Sequence, residues 1–178
     1  MRMDPVLRRG LSFSVIIVLA LVCVAPSALA LNTEANRETL RGLKGVRVLV
    51  EDFAPEVEKA GLTKNQLQAN IEDKLHKAGI KTLTQDECFA TPGEPYLYVN
   101  ISMNLRKADP NVYSFSIDIG VIQNVTLDRD PKQKTYAVTW STGGVGSIEK
   151  EFLPRLKDSV DDLVDLFIKS YWAVNPKK

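Results

Sequence analysis

Hydrophobic residues recur with two different periods in the first part of the chain. Valines alternate with other residues over 46–50, which predicts a strand, whereas leucine and isoleucine recur every fourth residue over 67–75, which predicts a helix. Thr63 stands three residues before Gln66, the spacing of a capping box, and residues 80–84 resume as a strand. We predict a strand–helix–strand (βαβ) unit with parallel strands and a right-handed crossover.

The second half of the chain has a strand period throughout. Apolar and polar residues alternate in three stretches separated by turn residues, which predicts an antiparallel meander. The stretches are 96–105, 113–127 and 135–141, with turns expected at 91–95, 109–111 and 128–132. Residues 33–42 are predicted to form a short peripheral helix, and residues 53–62 an ordered connection containing Pro55.

The chain closes on an amphipathic helix. Apolar residues from Leu153 to Tyr171 fall on one side of a helix that begins near Pro154 and ends before Asn175. The predicted fold class is α+β, a two-layer sandwich in which the βαβ unit is followed by the meander. The mixed sheet is expected to have about five strands, with the C-terminal helix packed on it.

Residues 1–30 have the organisation of a signal peptide. Three arginines precede an apolar run over 11–24, and Ala28-Leu29-Ala30 is a small-x-small cleavage site. We predict that the chain is cleaved after Ala30 and that the protein is periplasmic or secreted in a bacterium. Residues 31–178 are expected to form a single domain. Arg8-Arg9 leaves the twin-arginine route open, although the general secretion route is favoured. Val22 before Cys23 argues against a lipoprotein.

Composition and charge exclude several classes of partner. The 178 residues are 44% hydrophobic and 25% charged, as in ordinary globular proteins. Without residues 1–30 the chain has 20 Lys and Arg against 21 Asp and Glu, so it offers no basic surface for nucleic acid. We expect no stable membrane insertion after cleavage. Cys88 is then the one cysteine, so it has no internal disulfide partner, and its acidic neighbours favour a packed thiol.

Candidate catalytic residues are few. His76 is the one histidine, which argues against histidine-based nucleophile systems and histidine-based zinc sites. Its side chain projects about 100° away from the apolar stripe of the predicted helix, which predicts exposure. Glu51-Asp52 at the end of the first strand is a candidate acid–base pair, but strand termination is the preferred interpretation. We therefore expect no catalytic residue, no metal site and no cofactor.

Two polar features are candidate interaction sites. One is an acidic band on the C-terminal helix, for which we weigh a solvated surface, a docking surface for a basic partner and a calcium site. Its members are Asp158, Asp161, Asp162 and Asp165. The other is the glycine-rich segment with Gly143, Gly144 and Gly146, predicted to be a strand-to-helix turn and considered as an anion or partner loop.

Aromatic residues are concentrated in the meander. If no helix covers the second face of the sheet, some of these rings form a platform for a glycan, a peptide or a lipid. A cross-strand aromatic ladder that belongs to the core is the alternative. The residues are Tyr96, Tyr98, Tyr113, Phe115, Tyr136 and Trp140, of which Tyr96 and Tyr98 are the candidates for an interaction surface.

Four segments carry a resemblance to other proteins. LTKNQLQANIEDKLHKAGIKTLTQDE, PYLYVNI, TWSTGGVG and the closing FIKSYWAVNP resemble a family of uncharacterised exported bacterial proteins, and this resemblance implies no site residue. The predicted architecture is similar to small envelope domains: the N-terminal domain of TolB, the curli secretion lipoprotein and activator lipoproteins of cell-wall synthases. Those domains bind other proteins, and this likeness is one of fold.

The leading functional hypothesis is an exported periplasmic, non-enzymatic domain for protein interaction or envelope assembly, whose partner is another envelope protein. The expected contact surfaces are a strand edge and the acidic helix surface. The alternative is a module that binds a small ligand on an aromatic sheet face. An enzyme of unknown class is the third hypothesis.

Overall fold

The computed structural model describes residues 31–59 and 61–177 of the chain. The predicted signal peptide, residues 1–30, and its cleavage site after Ala30 lie outside the described residues. Leu31, the expected first residue of the processed chain, is the first residue described.

The described chain begins with helices and one short strand and continues with three long strands before a final helix. In chain order the elements are α1 (Glu34–Glu38), β1 (Arg47–Val50), α2 (Pro55–Lys59), α3 (Lys64–Lys77), α4 (Gln85–Phe89), β2 (Tyr96–Arg106), β3 (Asp109–Leu127), β4 (Asp130–Glu149), a 3-10 helix (Lys150–Arg155) and α5 (Leu156–Val174). The fold is therefore α+β, as predicted.

The four strands β1, β2, β3 and β4, among the described residues, form one mixed sheet in that order. β1 and β2 are parallel, and the other two pairs are antiparallel. The mixed sheet is confirmed, but the expected count of about five strands is slightly too high. Residues 80–84 contribute one parallel bridge, Val46 to Thr82, because Thr84 already caps α4 and turns the chain into a helix.

The predicted boundaries of α3 and α5 are confirmed. The side chain of Thr63 accepts a hydrogen bond from the backbone N–H of Gln66, so Thr63 caps α3. Leu67, Ile71 and Leu75 are the buried residues of that helix. At the other end of the chain, Pro154 lies in the 3-10 helix just before α5, and α5 ends at Val174.

Two short helices and two turns differ from the sequence prediction. The connection over 53–62 contains α2, which begins at Pro55, where the fixed φ of proline suits a first helical position. α4 has a full capping box between Thr84 and Glu87. The turn between β2 and β3 lies at residues 107–108, and Asp109-Pro110-Asn111 already belongs to β3. The turn between β3 and β4 lies at residues 128–129, and residues 130–132 already belong to β4.

The core lies between one face of the sheet and the helices. Trp140 of β4 is fully buried, and its ring meets Phe167 of α5 edge-on with centroids 5.4 Å apart. Phe167 in turn contacts Tyr171, at 6.1 Å between centroids. α3 packs near β1 and α5 near β3 and β4. We call this side of the sheet the covered face and the other side the open face.

The first described residues form hydrogen bonds with the outer edge of β4. The backbone N–H of Ser141 donates to the carbonyl of Leu31 at 3.1 Å, and the Leu31 N–H donates to Ser141 Oγ at 3.1 Å. One residue later, Asn32 Oδ1 accepts from the indole N–H of Trp140 at 3.1 Å and from the hydroxyl of Ser170 at 3.2 Å. Asn32 therefore joins the sheet to α5 inside the core.

We expect Asn32→Ala to lower the free energy of unfolding by about 1–3 kcal/mol, because the buried indole N–H of Trp140 loses its acceptor. Urea unfolding followed by tryptophan fluorescence measures this change. Glu34→Ala, at an exposed position of α1, is the control and should have a much smaller effect. Equal stabilities of the two variants would contradict the role assigned to Asn32.

Candidate functional site

The glycine-rich segment lies inside a strand and does not form the predicted loop. Gly143, Gly144 and Gly146 belong to β4, where they pair with Asp118, Ile117 and Phe115 respectively. The prediction of a strand-to-helix turn is wrong, because β4 continues to Glu149 before the 3-10 helix starts. The segment therefore has no loop in which successive N–H groups point at one anion.

Two of these glycines are explained by close packing. A Cβ at Gly146 would lie 2.7 Å from Cζ of Phe115, and one at Gly143 would lie 2.6 Å from the carbonyl oxygen of Ile117. A Cβ at Gly144 meets nothing within 4 Å. The Phe115 ring, which packs against the core, thus occupies the space that a side chain at 146 would need.

The acidic band is divided between solvent and a contact with α3. Asp158 and Asp162 are exposed, whereas Asp165 forms an ion pair with Lys74 at 2.9 Å. The ammonium group of Lys74 also donates to the backbone carbonyl of Asp161 at 2.7 Å. Lys74 therefore neutralises one edge of the band and ties α5 to α3.

No group of three or more His, Cys, Asp or Glu residues that could hold a metal ion occurs within 31–59 and 61–177. His76 is exposed on α3, as predicted. Cys88 is buried, as predicted for a packed thiol, and its Sγ lies 3.5 Å from the carbonyl oxygen of Pro95. Burial raises the pKa of the Cys88 thiol, so the thiol form is favoured over the nucleophilic thiolate.

Strand parity divides the meander aromatics between the two faces of the sheet. Tyr113 and Trp140 are buried on the covered face, and Phe115 packs beside them. Tyr96 and Tyr98 are half-buried on the open face. Tyr113, Phe115 and Trp140 therefore belong to the core, whereas Tyr96 and Tyr98 remain candidates for an interaction surface.

Tyr96 lines a cleft at the end of the open face. The rings of Tyr96 and Tyr136 lie 6.1 Å apart, and Tyr136 is 50% exposed. Phe89, at the end of α4, is 59% exposed and also lines this cleft. We call this space the aromatic cleft. Its volume is about 210 Å³, and its lining comprises Arg47, Leu49, Cys88, Phe89, Glu94, Tyr96 and Tyr136.

Glu94 is the polar centre of this cleft. Its carboxylate accepts hydrogen bonds from the hydroxyl of Tyr136 and, at 3.3 Å, from the side-chain amide of Asn124. The hydrogen bond to Glu94 raises the pKa of the Tyr136 hydroxyl. Glu94 has a φ of 44°, which a residue with a Cβ rarely adopts. These contacts hold the carboxylate between an amide and a phenol.

A second, larger groove lies on the other side of Glu94. It has a volume of about 660 Å³ between the loop over 89–94 and the ends of β3 and β4, and Lys134 lies on its wall. Phe89 and Glu94 line both spaces. Together the two spaces present exposed rings, a carboxylate and two cationic side chains, Arg47 and Lys134, a combination suited to binding an amphipathic molecule.

The sequence did not indicate Phe89 and Glu94 as part of a site. The capping box of Thr84 and Glu87 is a signal for α4, and this helix places Phe89 beside the meander. Glu94 has no such signal, because its position depends on a hydrogen bond to Tyr136, 42 residues away.

Tyr98 lies on the open face between the cleft and the centre of the sheet. Desolvation and a hydrogen bond to Glu51 raise its pKa to about 12. The Glu51 carboxylate thus faces the hydroxyl of Tyr98. Asp52, the other member of the candidate acid–base pair, forms an ion pair with Lys64 at 2.7 Å.

No protein-family model matches this chain, and a search of the curated proteins finds no match. None of the helices described within residues 31–177 is long and apolar enough to cross a membrane.

We expect Gly146→Ala to lower the free energy of unfolding by about 1–3 kcal/mol, because the added methyl group collides with the Phe115 ring. Gly144→Ala is the matched control, since its methyl group enters open space, and it should leave stability nearly unchanged or slightly raised. Thermal or urea unfolding of both variants measures the difference. A larger loss for Gly144→Ala would refute this packing.

The raised pKa of Tyr98 predicts an alkaline loss of stability. The neutral phenol is favoured in the folded state, so its stabilisation is full below the ordinary pKa of about 10 and is lost as pH rises through about 12. Tyr98→Phe should flatten the fall of unfolding free energy over this interval. Tyr98→Phe should also remove one phenol that ionises near pH 12 from the ultraviolet absorbance titration. An unchanged titration curve would contradict the raised pKa of Tyr98.

Proposed function

We propose that this protein is an exported, periplasmic, non-enzymatic domain that binds another envelope protein through the open face of its sheet. The observation that carries the proposal is the apolar exposure on this face. Val138 is 47% exposed, and Tyr136, at the neighbouring open-face position of β4, is 50% exposed. Exposed apolar side chains that are neighbours on one face of a domain favour a contact with another protein.

Export is the part of this proposal that rests on the sequence. The segment over 1–30 has the organisation of a signal peptide, and the chain after it is almost neutral. The neutral balance favours a protein partner over nucleic acid. Leu31 then carries the new α-amino group, beside Ser141 at the edge of the sheet.

The non-enzymatic part of the proposal rests on how the reactive groups are distributed. His76 lies on α3, the pKa of the Cys88 thiol is raised, and Glu51 and Asp52 have separate partners. A general base needs to lie within hydrogen-bond reach of the group that it deprotonates. This distribution supports binding over catalysis.

The test is site-specific photo-crosslinking in living cells. A photoreactive residue at position 138 should form adducts with an envelope protein, whereas the same residue at exposed position 76 on α3 should not. Val138→Lys should reduce capture of that protein several-fold without changing the thermal midpoint, because a charge replaces an apolar contact. The crosslinking protein itself, recovered from the cells, should have the mass of the chain that starts at Leu31.

Equal adducts from positions 138 and 76 would refute the open face as the contact surface. Retention of the unprocessed mass, with the protein found in the cytoplasm, would refute export.

The aromatic cleft supports a second candidate, the binding of a small ligand such as a glycan, a peptide or a lipid. Exposed rings beside a carboxylate and a guanidinium suit a ligand with apolar surfaces and polar edges. The two candidate functions can be distinguished experimentally. Tyr136→Ala would abolish ligand binding in the cleft, whereas Val138→Lys would mainly weaken the contact with the envelope protein.

A further inference from the structure

β4 is the outermost strand of the sheet, and one edge of it faces away from β3. The backbone N–H of Ser141 points to this outer side, because it donates to the carbonyl of Leu31. The pairing of β3 with β4 has no register shift over residues 140–149. By strand alternation, the N–H and C=O groups of Gly143, Val145 and Ser147 therefore also point outward.

Within the part of the chain that the structure describes, no hydrogen bond reaches those outward groups. Among the described residues, the N-terminal segment meets this edge at Ser141, where Leu31 lies, and forms no hydrogen bond with residues 143–147. At the opposite side of the sheet, the bridge between Val46 and Thr82 pairs the residue just before β1 with a neighbouring segment. The open backbone edge of β4 thus extends over residues 143–147.

This edge lacks the features that commonly prevent strands from pairing between molecules. Residues 140–148 contain no charged residue and no proline, and the register there is regular. Val145 projects from the centre of the segment with 82% of its surface exposed. Lysine, proline and bulges are the usual protections, so this segment is suited to accept another strand.

We infer that two copies of this chain pair through this edge, antiparallel, about a two-fold axis at Val145. The outward groups of Val145 bond to Val145 of the second copy, and those of Gly143 bond to Ser147 of the second copy. Three residue pairs of this kind form about six backbone hydrogen bonds. The two four-stranded sheets then join into one continuous sheet.

Charge favours the antiparallel arrangement of a second copy. Antiparallel pairing about Val145 brings Glu149 of one copy towards Ser141 and Leu31 of the other. In a chain cleaved after Ala30, Leu31 carries a positive α-amino group, 3.1 Å from Ser141 Oγ. A parallel, in-register arrangement would instead place the two Glu149 carboxylates side by side, which is unfavourable.

Apolar contact favours the same centre. Ser116, opposite Val145 on β3, and the flanking Gly143 and Ser147 are small residues that leave the valine uncovered. At a two-fold axis the two valines become cross-strand neighbours, and each covers the other. This inference does not depend on the proposed function, because that contact is centred on Val138, outside the paired segment, although the side chain of Val145 also lies on the open face.

The test is the oligomeric state of the exported, processed protein, measured by sedimentation and light scattering over a range of concentrations. The wild-type protein should form a dimer. Val145→Pro should be monomeric, because it removes the outward N–H and leaves the bonds to β3 in place. Val145→Lys should also be monomeric, since it sets two like charges at the axis.

Val138→Lys is the matched control on the same strand, and it should remain dimeric because its position lies outside the paired segment. Equal thermal midpoints for the dissociated variants at the same low concentration would show that they are folded. A wild-type protein that is monomeric at every concentration, or a Val145→Lys variant that stays dimeric, would overturn the inference. The function proposal fails separately, through loss of the envelope-protein adducts at position 138.

Discussion

The structure depends on one sheet burying a single face. The indole of Trp140 and the ring of Phe167 meet across the boundary between β4 and α5, and aliphatic residues of β1 to β3 continue the same layer. Because side chains alternate along a strand, the neighbours of every residue in this layer have their side chains on the open face. The alternation that builds the core therefore also creates the surface on which Tyr96, Tyr98 and Val145 lie.

The N-terminal segment completes this arrangement at the edge of the sheet. Asn32 accepts hydrogen bonds from Trp140 and Ser170, and Leu31 pairs with Ser141. A buried indole N–H without an acceptor is costly, so the segment contributes to the core as well as covering backbone. The same contacts bring the start of the proposed mature chain next to the uncovered part of β4. The proposed cleavage site and the proposed dimer edge thus involve neighbouring residues.

The aromatic cleft has a different origin, since it results from contacts between distant loops. α4 brings Phe89 to the end of the open face, and Glu94 is held there by Tyr136 and Asn124. The unusual φ of Glu94 is maintained by these surroundings. A hydrogen-bonded carboxylate beside exposed rings distinguishes this end of the face from the apolar region near Val138.

The sequence by itself determined the elements whose signals are local. These signals depend only on residues that are close in sequence, so the helices were predicted at the correct positions. They are the cap at Thr63, the four-residue period of α3 and the apolar stripe of α5. Tertiary structure decided the rest. Gly143, Gly144 and Gly146 have the local pattern of a turn, but pairing with β3 extends the strand through them, and the missing side chain at Gly146 leaves room for the Phe115 ring. Likewise, Lys74 neutralises part of the acidic band across two helices, and Glu94 reaches the cleft through a bond between residues 42 positions apart. Local periodicity encodes which face of an element is buried, whereas the neighbours of that face are set only when segments distant in sequence pack together.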